Sequence, residues 1–304
     1  MRRWKPQLTN RVWMSAAIMA LAFIAALALL IPVGQSLLGP PETWPINGEL
    51  FLRSLAGMAA LSVAGYLIYR VAAALSLSYA MDRNGLYIHW LGNRAIVPIQ
   101  TITSIESGLS DPAAAGPPLA QIGYFHGQYA LPEGRTLHRF STLAPAQALI
   151  INTTTDAYAI APLETDAFVQ ELEQRRRLGP IQQLSAGVET GRAFFYAFWH
   201  DRVVRMALLV AVCLNLILLG WLAFSYPGLP PVIELRADAV GEVMLATPRH
   251  QILFLPLAAL MVGLLNLGLG MTLYGRERAG AQLLQLASAG LQIFFVVAVL
   301  TILV

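Results

Sequence analysis

The sequence predicts a membrane all-α protein of five transmembrane helices, with a small β-barrel or sandwich inserted between the second and third and closed by its own C-terminal helix. Three observations carry that fold class. Five apolar runs each exceed the roughly 20 residues needed to cross a bilayer. Charged residues are only 12% of the 304, against 57% hydrophobic, so lipid must be the solvent for much of the surface. The stretch between the second and third runs alternates apolar and polar residues as half-buried strands do. The chain therefore divides into a helical hairpin at 1–76, a soluble domain at 77–180, an amphipathic, aromatic linker at 181–202 and a three-helix membrane domain at 203–304.

The first span runs from Val12 to Val33 without a charge, behind Arg2, Arg3, Lys5 and Arg11. It is too long for the apolar core of a secretory signal and no small-x-small cleavage site follows, so an uncleaved anchor is expected. The second, Phe51–Ala74, carries Ala56, Ala60 and Ala64 at every fourth position, a stripe that lets a neighbouring helix approach closely. Arg53 and Arg70 near its ends are placed to reach headgroups, with Tyr66 and Tyr69 at the same level. The remaining spans are Val203–Tyr226, Ile252–Tyr274 and Ala281–Val304, and Arg276-Glu277-Arg278 turns the last two into a hairpin. Basic flanks mark the cytoplasmic side. The N-terminal tail, Arg202/Arg205 and Arg276/Arg278 share one side, whereas the loop from Gly34 to Leu50 has no basic residue. This places the chain in an inner (plasma) membrane, with the N-terminus and the soluble domain cytoplasmic and the C-terminus outside.

Within the soluble domain, Asn84-Gly85 between two alternating runs is a hairpin signal, and Gly92-Asn93 supplies a second turn. Thr136–Ser141, Ala148–Asn152 and Ala157–Ile160 read as strands, Ser110–Leu119 as a loop, and a helix starting at Thr165 or Asp166 ends near Gly179. Tyr79-x-Met81-Asp82-Arg83-Asn84-Gly85-Leu86-x-Ile88-x-Trp90, then Val97-Pro98-Ile99-x-x-Ile102-x-x-Ile105 and the closing Ala157–Pro162, resemble bacterial pleckstrin-homology domains attached to membrane helices. The resemblance implies two nearly orthogonal antiparallel sheets capped by a helix, with no catalytic residues. A second one covers Tyr226–Pro230 and Ile233–Val243, which are similar to the outer loop of a multi-pass domain of unknown function also found in toxin-immunity proteins of the Sdp type. Where that family has Pro, His and Asn, this chain has Glu234, Arg236 and Asp238; Gly241 matches.

Chemistry-bearing motifs are sparse. Cys213 stands alone in an apolar run and is read as a small buried side chain. The five histidines lack the converging partners a metal site needs, and His200-Asp201-Arg202 reads as the water-facing end of the third span. No Asp or Glu lies deep in a span, which argues against proton relays, and neither a nucleophile elbow nor a phosphate-cradling loop occurs. Gln285, Ser288 and Gln292 share one face of the fifth helix, where Asn266 and Asn215 can meet them. They form either a polar lining for a ligand or pore, or, the reading adopted, interhelical hydrogen bonds. Arg175-Arg176-Arg177 complements its helix end, with contact to anionic lipid as the alternative; Arg83 alone is too little for a phosphoinositide site. The expectation is therefore a non-enzymatic scaffold or accessory factor with no cofactor, no metal and no nucleic-acid partner, bound to the bilayer and to a protein partner or larger membrane complex. The alternative is an envelope signalling or immunity protein sensing through the loop 227–250.

Overall fold

The computed structural model describes residues 2–116, 121–131, 134–185, 187–189, 193–237 and 243–303. Gly241 and Asp238 of the outer-loop resemblance lie outside them. Five helices are long and apolar enough to cross a membrane: α1 (Asn10–Ser36), α2 (Gly48–Ser76), α5 (Arg202–Ser225), α6 (Phe254–Leu273) and α7 (Arg278–Leu303). The chain forms two compact units, one of residues 1–25 and 60–191, the other of 26–59 and 192–304.

The first unit is built on two five-stranded sheets. One joins β1 (Arg2–Trp4), β2 (Ser78–Met81), β3 (Gly85–Trp90), β4 (Asn93–Pro98) and β10 (Gly187–Glu189) in that spatial order. The other comprises β5 (Ile102–Ser107), β6 (Phe125–Ala130), β7 (Thr136–Ser141), β8 (Leu149–Thr153) and β9 (Asp156–Ile160), ordered β5-β8-β9-β7-β6. This second sheet is not wholly antiparallel, because β7 and β9 pair in parallel. Helix α3 (Thr165–Leu178) buries Phe168 and Leu172 in the shared core and ends at Gly179, whose φ of 70° suits a residue without a Cβ. Tyr79 anchors that core: its hydroxyl donates to Phe140 O at 2.8 Å and accepts from Ala161 N at 3.0 Å.

The basic tail is strand β1, with Trp4 paired to Tyr79 and packed edge-on against Phe168 at 5.6 Å. From there the chain crosses the sheet domain, through a bridge between Pro6 and Pro162 and a bond from Gln7 N to Ala161 O, before entering α1. The linker is partly ordered too, holding β10 against β4 and helix α4 (Ala193–His200). Arg70 is only 6% exposed and does not reach outward. Its guanidinium donates to Ile122 O at 3.2 Å, to Tyr124 O and to the Tyr66 hydroxyl at 2.8 Å, because the loop before β6 covers this turn of α2. At Gly123 in that loop, an added Cβ would lie 2.7 Å from Ser15 Oγ. The sheet domain is thus fastened to both helices it follows and precedes.

In the second unit α6 and α7 form an antiparallel hairpin packed with α5, and the halves of α1 and α2 in this unit meet where a Cβ on Gly57 would lie 2.6 Å from Leu30. The segment between α5 and α6 contains an antiparallel hairpin of β11 (Val232–Ala237) and β12 (Val243–Pro248). Cys213 lies on the exposed face of α5. It is therefore not the buried side chain the sequence led us to expect; α5 is long and apolar enough to cross a membrane, where an exposed apolar side chain would meet lipid.

Candidate functional site

The second unit holds a column of polar side chains along one face of α7, where Gln285, Ser288 and Gln292 are all buried. Asn215 of α5 donates from one amide nitrogen to Gln292 Oε1 and to Pro256 O, both at 3.0 Å. Asn266 of α6 donates to Ser288 Oγ at 2.9 Å, and Ser288 in turn donates to Leu284 O. Gln285 Nε2 donates to Asn266 O at 2.8 Å. The five residues singled out in the sequence are therefore brought together as two clusters, one bridging α5, α6 and α7 and the other α6 and α7. Gly263 and Gly270 face them; at Gly270 a Cβ would fall on Gln285 Nε2. Glycine here leaves room for a glutamine that is 0% exposed. Gln285 Oε1 is buried with no hydrogen-bond partner among the described residues. The hydrogen bonds of the column run from helix to helix, apart from that of Ser288 to its own helix.

At one end of this bundle lies a site the sequence reading passed over. Asp201, expected at the water-facing end of the third span, is 4% exposed. Its Oδ1 caps α5 by accepting from Val203 N at 2.9 Å and Val204 N at 3.4 Å. Its Oδ2 accepts from the Tyr274 hydroxyl, Arg278 Nε and Gln282 Nε2, each at 2.8 Å. Phe198 packs edge-on against Tyr274 at 5.5 Å. Burial pushes the carboxyl upward, but the bonds from Tyr274, Gln282, Arg278 and the Val204 amide outweigh it and hold it well below the usual carboxylate range. The available signal was an Asp directly before an apolar run, an N-cap pattern.

In the first unit, a polar cleft of about 520 Å³ opens between α3, β1 and the β2–β3 turn. Arg2, Arg83, Gln170, Glu171, Gln174 and Arg175 line it. Glu171 accepts from Arg175 and lies 3.6 Å from Arg2. The turn bearing Arg83 is held by Asp82 Oδ1, which accepts from Asn84 N and Gly85 N at 2.8 and 2.9 Å, an Asx turn. Arg83 was read in isolation; its companions come from segments remote in sequence. Nearer the second sheet, His126 stacks on Tyr124 at 5.5 Å. Burial, then Arg139 and Arg70, push its pKa down to about 4. Among the described residues no three His, Cys, Asp or Glu side chains converge as metal ligands would.

Residues 77–176 match a family model described as a bacterial PH domain. No curated protein and no solved structure matches the chain. The matched segment covers both sheets from β2 to β9 and nearly all of α3, but excludes β1 and β10. The outer-loop resemblance lies beyond it.

Proposed function

We propose that this protein is a non-enzymatic scaffold or accessory factor of a bacterial inner membrane, presenting its PH-like domain on the cytoplasmic face to a protein partner or lipid headgroups. The observation that carries this reading is the attachment of the domain. Strand β1, the Arg70 bonds and the loop at Gly123 seat it on the start of α1 and the end of α2. A domain seated in this way presents its surfaces in a set direction, which favours docking over free reach on a tether. The N-terminus is cytoplasmic and the C-terminus outside, supported by basic flanks on one side only. The polar column and the Asp201 node hold the three-helix domain together and take no substrate.

The test is purification of the full chain in mild detergent. A partner present in fixed ratio supports the scaffold. A chain that elutes alone at every detergent tried, with turnover on hydrolase or transferase substrates, overturns it. Orientation is tested with Cys213→Ser and a cysteine introduced at Asn84. An impermeant thiol reagent applied to intact cells must leave that position unlabelled.

A further inference from the structure

The polar cleft carries an inference about what the PH-like domain receives. Helix α3 has two faces. Phe168 and Leu172 enter the core, while Ala167, Gln170, Glu171, Gln174, Arg175 and Leu178 recur at helical spacing and line the cleft. Opposite stand Arg2, from edge strand β1, and Arg83, from the Asx turn. Glu171 accepts from Arg175 and lies 3.6 Å from Arg2, Arg2 also pairs with Glu164 at 3.3 Å, and Arg83 donates to Leu178 O at 3.4 Å with no carboxylate partner among the described residues. Three guanidiniums against Glu164 and Glu171 leave one positive charge in excess, and the amides of Gln170 and Gln174, both exposed, line the cleft beside them.

Its place in the fold limits the ligand. The β3–β4 turn lies at the end of α2, since Leu91 N donates to Ser76 Oγ at 3.0 Å. Strand β3 runs six residues from that turn to the β2–β3 turn, roughly 17 Å at ~3.4 Å per residue. Arg2 pairs with Met81 at this same far end. The cleft thus sits at the end of the sheet opposite the membrane helix, about two Debye lengths from it at physiological ionic strength, where each is ~8 Å.

We infer that this cleft binds an extended acidic segment of a soluble protein partner, with Arg2, Arg83 and Arg175 meeting its carboxylates. Its place at the far end of β3 from α2 favours a soluble partner over headgroups, and a cleft of about 520 Å³ lined along about three turns of helix fits an extended chain better than a single small anion. The inference deepens the scaffold reading and rests on it.

The experiment uses the full chain in phosphatidylcholine nanodiscs and a fluorescein-labelled octaglutamate peptide, read by fluorescence polarisation. Expected is saturable, salt-sensitive binding, weakened about tenfold by Arg83→Glu and by Gln174→Glu, and unchanged by Arg135→Glu beside β7. No binding, equal binding by Arg83→Glu, or displacement by inorganic phosphate at matched ionic strength overturns the inference. So does loss of peptide binding when phosphatidylserine replaces part of the lipid, which would show headgroups in the cleft. A partner that co-purifies equally with wild type and Arg83→Glu sinks this cleft while leaving the scaffold standing.

Discussion

Asp201 joins the start of α5 to the α6–α7 turn, and its replacement tests whether one carboxylate holds these helix ends together. Alanine removes the α5 cap, worth about 1 kcal/mol, and the acceptor shared by Tyr274 and Gln282, about 1 kcal/mol each. Arg278 is 66% exposed at its side chain, so its ion pair adds under about 1 kcal/mol. The total for Asp201→Ala is about 3–4 kcal/mol. Asparagine keeps one oxygen for the α5 cap but sets an NH2 group where Oδ2 accepted from Tyr274, Arg278 and Gln282, so it recovers only the cap, about 1 kcal/mol of the loss. Thermal unfolding in detergent, followed by tryptophan fluorescence, should show alanine lowering Tm by roughly 5–10 °C and asparagine by about 2–3 °C less than alanine. The pH dependence has a definite sign. The folded carboxyl lies below its unfolded value near ~4, so its stabilisation is complete above that pH and is lost as pH falls below it. Asp201→Asn should flatten that acid limb. An alanine variant melting within a degree of wild type would refute the reasoning, and asparagine as damaging as alanine would remove the cap from the account.

Other outcomes follow from the same structure. His126, with its pKa near 4 when folded, binds its proton more readily in the unfolded chain, so stability should rise with pH between about 4 and 6.5; denaturant titrations of His126→Phe should lose that slope. Tyr79→Phe leaves Phe140 O and Ala161 N without their hydroxyl, at about 1–3 kcal/mol, read as a lower denaturation midpoint of the PH-like domain. Gly270→Ala forces Gln285 aside and meets the Phe198 ring at 3.4 Å, costing about 1–3 kcal/mol; pairing it with Gln285→Ala should recover much of the loss in Tm.

Long apolar runs need no tertiary context, which is why the helix positions were readable from Val12, Phe51, Val203, Ile252 and Ala281 to within a few residues. Turn chemistry was equally local. Asn84-Gly85 closes the β2–β3 hairpin, and the end of α3 at Gly179 follows from its backbone freedom. The amide positions of α5, α6 and α7 were visible by spacing, but which amide meets which is decided by how the helices are rotated. Strand β6 escaped notice because Phe125–Ala130 contains Gly127 and lacks clean alternation.

What the chain's order of residues determined alone was composition and period: where lipid must be the solvent, where strands turn, where a helix stops. Those depend on neighbours within a few positions. The three-dimensional arrangement decided that Arg2–Trp4 completes a sheet, that Arg70 turns inward to carbonyls, that Asp201 is buried under Tyr274, Arg278 and Gln282, and that Arg2, Arg83 and Arg175 share one cleft. Each of these joins groups more than 50 residues apart, and a contact between distant residues depends on packing that no local pattern encodes.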